Sequence, residues 1–266
     1  MTLAGHSGQV TRRLVPLWLV LATTGGLFAT GTLDAAPSGA PEVGTARVAF
    51  NDSTIESAEY ADGVDLVASY GVTDDRLRAD TGLDPEHVAL WATVIDDIPV
   101  RLRPAIRQFS VVEQGAGSTV AMVHQSGLDP ERWLLSVDIA DADNESLIRD
   151  TVVHELVHLI TLGPDQFTFN HRLIGPCDGV AVEVGCAHPE SILARWSTQF
   201  WSDPSRATVF DPTAFVAHYA ATGPHEDLAE TVLFWTRGDT GGDDLVLAAK
   251  FAFVENEPAL RELRPA

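Results

Sequence analysis

Two histidines and a glutamate stand at a spacing that metal chemistry uses: Thr151-Val-Val-His154-Glu155-Leu-Val-His158-Leu-Ile160 places H-E-x-x-H inside an apolar run. On a helix, residues four apart lie on one side, one turn apart, so both imidazoles can reach a single zinc ion while Glu155 stands beside it. The pattern is specific, because with 9 His in 266 residues a chance match has a probability of roughly 2 per cent. A catalytic zinc needs three protein ligands and a position left for water. Glu226 and Glu230 lie four apart at the helix start Thr222-Gly-Pro-His-Glu226-Asp-Leu-Ala-Glu230. They share a face, so one can bind metal while the other accepts the outer N–H of a bound histidine. We assign Glu226 as the third ligand and Glu230 as that acceptor. His225 is an alternative ligand, but it faces about 100° away from Glu226 on a helix, so the two are not expected to bind together.

Such a set permits metal-assisted hydrolysis. One Zn2+ held by His154, His158 and Glu226 would bring the pKa of bound water to around 7 and polarise a carbonyl. Glu155, close but not a ligand, would take the water's proton and pass it to the leaving amine.

These residues need helices to carry them and a surface to present a substrate. Asp143 or Asn144 can cap the first helix, Glu145 sits in its first turn, and Gly163-Pro164 stops it. Leu147, Ile148, Leu156, Leu159 and Ile160 make it apolar on most sides, and burying histidines and a glutamate there requires compensation. Upstream, Leu83 to about Leu102 reads as a helix begun by Asp84-Pro85. Gln108 to Glu113, Thr119 to His124 and Trp133 to Ile139 read as strands separated by Gly-containing or Asp-Pro turns. Downstream, Glu190 to Trp201 has helical apolar spacing and serves the core. The expected fold class is α+β: a small mixed sheet packed on the H-E-x-x-H helix (about residues 44–165), then a mainly helical lobe (166–266). The sheet-then-helix order resembles the zincin peptidases, in which an edge strand above the metal pairs with an extended peptide. Thr119 to His124 or Trp133 to Ile139 is the candidate for that strand.

The combination of H-E-x-x-H with Tyr219-x6-Glu226-x3-Glu230 is similar to the gluzincin peptidases of the anthrax lethal factor-like type. It resembles more closely a group of uncharacterised secreted bacterial zinc metallopeptidases. Their chains carry a comparable Tyr-Ala-Ala-Thr followed by Glu-Asp and Ala-Glu, the Gly185-Cys186 to Trp201 region, and an ending like Lys250 to Leu263. The resemblance covers about residues 150 to 264. It implies Glu226 as third ligand, Tyr219 as hydrogen-bond donor to the transition state, and a peptide or protein substrate. Without it, Tyr219 reads as a half-buried packing residue. His225 is where this chain departs from the pattern. A competing reading is a catalytically inactive zincin-like binding protein of the cell envelope, against which the intact Glu155 speaks, since a structural zinc has no use for a base.

The surroundings are acidic and exported in character. A net charge of −21 repels phosphate backbones and anionic lipid, so nucleic acid is not an expected partner. Residues 1–36 read as a signal peptide, with Arg12-Arg13 before the apolar stretch 14–33 and small residues at Ala29-Thr-Gly31; an uncleaved amino-terminal anchor is the alternative, and the one expected route to a membrane. The chain is therefore expected to be secreted or extracytoplasmic. Its two cysteines, Cys177 and Cys186, are expected to form a disulfide pinning a surface loop and contributing roughly 2–3 kcal/mol. A second metal site there would need His171 and His188, which lack zinc-knuckle spacing. Asp138, Asp141 and Asp143 lack a full calcium-loop signature and read as a solvated turn.

Overall fold

The computed structural model describes residues 55, 56, 58, 60, 63–79, 82–115, 120–169, 175–202 and 210–264. The expected signal peptide and His171 lie outside them. The amino-terminal half is a five-stranded mixed sheet: β1 (Asp65–Thr73), β2 (Arg76–Arg78), β3 (Ile106–Glu113), β4 (Ala121–Gln125) and β5 (Trp133–Asp138), in the order β2-β1-β3-β5-β4. β3 and β5 run parallel, and the other neighbours are antiparallel. Among the described residues β4 is thus an edge strand and β5 a central one.

Alternation along these strands builds two different faces. Register aligns Phe109, Leu135 and Val123 in one row and Val111, Val137 and Ala121 in the next. These apolar residues face α1 (Pro85–Asp97) and α2 (Glu145–Thr161), and all belong to one continuous core with Trp91, Val94, Ile148, Val152 and Leu156. The opposite face carries Ser69, Ser110 and Ser136 in line, with Gln108 and Ser136 hydrogen-bonded to Glu56 and Tyr60. Buried polar groups there have partners, as burial demands.

The helices begin where their caps predict. Asp84 accepts from the Glu86 amide before Pro85 opens α1, and Asn144 accepts from the Leu147 amide at the start of α2. α1 ends at Asp97 rather than near Leu102, because Ile98 precedes Pro99 and is extended. Beyond α2 the described residues are mainly helical, as expected, with one small sheet that the sequence reading did not include. A three-stranded sheet, β6 (Phe167–Phe169), β8 (Gly185–Ala187) and β7 (Val180–Val182), intervenes before α3 (Ile192–Phe200). The Cys177–Cys186 disulfide ties the approach to β7 onto β8. α4 (Pro224–Thr236), α5 (Leu245–Asn256) and the short α6 (Pro258–Arg261) complete the fold. Among the described residues no helix is long and apolar enough to cross a membrane.

Candidate metal centre

α2 is buried along its second half, from Val152 through Thr161, and 3.6 residues per turn send its three polar side chains to two places. His154 and His158 project toward α4, while Glu155 turns toward β4. α4 starts at Gly223-Pro224, with Glu226 and Asp227 favourably placed in its first turn. A Cβ at position 223 would lie 2.9 Å from His225 Cε1, so a larger residue there would have to displace the buried His225 ring, while the φ of −177° is ordinary extended backbone.

The two helices bring three donor atoms together. His154 Nε2 lies 3.0 Å from Glu226 Oε2, His158 Nε2 lies 3.1 Å from His154 Nε2, and His158 Nε2 lies 3.3 Å from Glu226 Oε2. All three residues are at most 7% exposed. Among the described residues this is the one such group of His, Cys, Asp or Glu able to hold a metal ion. The other His154 nitrogen, Nδ1, donates to Glu230 Oε1 at 2.9 Å. That bond leaves Nε2 of a neutral ring as a bare lone pair aimed into the triangle.

Electrostatics describe the same triangle as a cation trap. Burial pulls the His154 pKa down, yet hydrogen bonds to Glu226 and Glu230 hold it well above its ordinary value. Burial pushes Glu226 up, but the neighbouring His158 and His154 bring it well below the usual carboxylate range. A proton can bridge this cluster, and a metal ion can take the same place with both imidazoles neutral.

Around it stand the other expected residues. Glu155 is 3% exposed and accepts a 3.0 Å hydrogen bond from the Val123 amide of β4. Burial raises its pKa, with His158, His154 and that amide opposing. The Tyr219 ring centroid lies 5.7 Å from that of His154, on a 3-10 turn (Tyr219–Thr222) leading into α4. Its hydroxyl is buried close to Glu226 without completing a hydrogen bond. Burial, then the charges of Glu226 and Glu155, keep its proton on. His225 is also buried, with Nε2 3.4 Å from Glu226 Oε1, but it faces the outer side of the carboxylate and lies outside the triangle.

No family model, curated protein or solved structure matches this chain. Function therefore has to be argued from the site itself.

One predicted detail changes. Asp138 is fully buried, and its carboxylate accepts from the amides of Ala140 and Gln114, so it caps a short turn instead of lining a solvated one. The cysteines are paired with each other as expected, and His188 bonds Thr168 Oγ1 and the Asp165 carbonyl. Sequence reasoning missed the Val123 amide, since a backbone donor has no residue signature. It also missed Asp227 and Lys250, a fully buried ion pair behind Glu226 at 2.7 Å. A lone lysine in the apolar run Leu245-Val-Leu-Ala-Ala-Lys250-Phe-Ala-Phe-Val254 was the available signal.

Proposed function

We propose that the protein is a zinc-dependent peptidase, exported from the cytoplasm, that hydrolyses peptide bonds with Glu155 as general base. The observation that carries this reading is the triangle of His154, His158 and Glu226 with a carboxylate beside it that does not belong to it. Ligands about 2.0–2.1 Å from a tetrahedral zinc lie roughly 3.3 Å from one another. The three atoms here are 3.0, 3.1 and 3.3 Å apart, and two imidazoles with one carboxylate are a donor set suited to zinc. Three protein ligands leave a coordination position for solvent, as a catalytic zinc requires and a structural one does not.

When bound, the ion supplies Lewis acidity toward a carbonyl oxygen and toward water. The chain supplies the rest. Glu155 has a pKa raised by burial, which suits a group that accepts water's proton and then hands it to the leaving amine. Tyr219 keeps its proton and has a buried hydroxyl beside Glu226 to offer the carbonyl oxygen as negative charge builds there. Glu230 fixes the His154 ring through Nδ1. The open edge of β4 offers backbone groups for an extended peptide, which supports peptide over small-ester hydrolysis. The disulfide fits an oxidising, extracytoplasmic compartment.

Glu155→Gln tests the reading. The variant should still bind one zinc per chain, measured by metal analysis, while cleavage of fluorescein-labelled casein falls about 100- to 10,000-fold. Substantial residual turnover would remove Glu155 from its role, and a folded wild type that takes up no zinc would end the proposal.

A further inference from the structure

The strand bordering the site carries one outward-facing amide that is held by a side chain of α2. Among the described residues β4 is paired on one side only, and register settles which peptide groups face which way. The Ser126 amide donates to the Arg132 carbonyl, and the Asp138 amide donates to the Val120 carbonyl. Even-numbered residues from 120 to 126 therefore turn their backbone groups toward β5, while Ala121, Val123 and Gln125 turn theirs to the open edge. Of these three, Val123 is the one whose N–H meets α2, donating to Glu155 Oε2 at 3.0 Å.

We propose that Val123 is a positioning residue for Glu155. Its amide holds the carboxylate beside the metal triangle and stays with it when an extended peptide adds to β4. The substrate is then anchored by the amides of Ala121 and Gln125 on either side, not by that of Val123. The inference rests on the peptidase reading and adds to it a gap in the substrate ladder. Relative strengths decide the competition for the amide. A hydrogen bond to a carboxylate is roughly twice as strong as one to a neutral carbonyl. A peptide taking the Val123 amide would also strip a buried carboxylate of the donor that stabilises it. Val123 further lies opposite Leu135, deep in the core row, so the amide is fixed by packing on both strands.

The outward orientation permits a clean removal of the donor. Val123→Pro deletes an N–H that no ladder bond uses, on an edge strand where proline is tolerated, and an amide-to-ester replacement at residue 123 deletes it with the side chain kept. Each should bind one zinc per chain. On labelled casein each should lose about 10- to 100-fold in kcat, the scale of a misplaced catalytic group, with KM within about twofold because uniform binding is untouched. A rise in KM at unchanged kcat would mean the amide binds substrate instead, and no change in either would mean it positions nothing; both overturn the proposal. Amide hydrogen exchange in the zinc-loaded wild type provides a readout independent of cleavage and of how well the variants fold. Val123 should be protected at least about tenfold more than Ala121 and Gln125, with protection lost in Glu155→Ala. Equal exchange at all three positions, or protection unaffected by Glu155→Ala, sinks the inference. Should wild type bind no zinc or cleave nothing, the peptidase reading fails, while the exchange result still judges the Val123–Glu155 bond.

Discussion

Glu226 and His225 are adjacent, both buried and both metal-ligating in type, yet one helical step of about 100° separates their roles. Glu226 Oε2 faces both Nε2 atoms, whereas His225 Nε2 approaches only the outer oxygen, at 3.4 Å. His225 is also held neutral, its pKa pushed down to about 4 by burial. Glu226→Ala should therefore abolish stoichiometric zinc binding in a chelator competition, while His225→Ala retains it. The reverse pattern would reassign the third ligand. Glu230→Gln keeps an acceptor toward His154 Nδ1 but loses its charge, and should weaken zinc binding by about 10- to 100-fold, as loss of such outer partners does.

At the scale of elements, the first turn of α4 is fixed from behind. Asp227 accepts from Lys250 Nζ at 2.7 Å and from the indoles of Trp196 and Trp201 at 3.2 and 2.8 Å, so α3 and α5 are both tied to the turn that carries Glu226. Lys250 also donates to the Ala214 carbonyl and lies over the Phe215 ring. Lys250→Met leaves Asp227 buried without its counter-charge and should cost about 3–5 kcal/mol in denaturant unfolding; a loss near zero would show that the pair adds nothing beyond packing. This knot marks the limit of what the sequence discloses. H-E-x-x-H, the Glu226/Glu230 pair, the Asn144 and Asp84 caps and three of the strands were legible, because capping and periodicity are local signals. β1 and β2 were not. Their hairpin turns at Asp74-Asp75, with φ of 51° and 62°, in place of the Asn-Gly or Asp-Gly that announces such a turn. The three strands of the smaller sheet are three residues each, too short for alternation to register. Which strand bordered the site depended on sheet order, a long-range property: β5 inserts between β3 and β4, and nothing in Trp133 to Asp138 alone says so.

On the scale of the whole molecule, one core runs from Tyr70 through Leu263 and joins both halves, so events on the far face of the sheet bear on the stability of the entire chain. His124 sits on that face of β4, its ring edge-on to Tyr60 with centroids 6.0 Å apart. Its Nδ1 is buried without a partner, and burial lowers its pKa to about 4. A histidine whose folded pKa is depressed favours the neutral form. Its contribution is complete above the unfolded value near 6.5 and is lost as pH falls toward 4. Between pH 7 and pH 5 the loss amounts to about 2 kcal/mol. Asp227 acts in the opposite sense, because burial raises its pKa to about 6; its cost is present above pH 6 and relieved as pH falls, so the acid profile of the wild type is a composite. Substitution isolates the histidine. In chelator-treated protein, where metal ligands cannot contribute by releasing zinc, His124→Phe should change stability by an amount that shifts about 2 kcal/mol in the variant's favour from pH 7 to pH 5, read from urea unfolding at each pH. Parallel curves for the two proteins would mean that solvent reaches His124 freely and that the polar face of the sheet is open rather than closed.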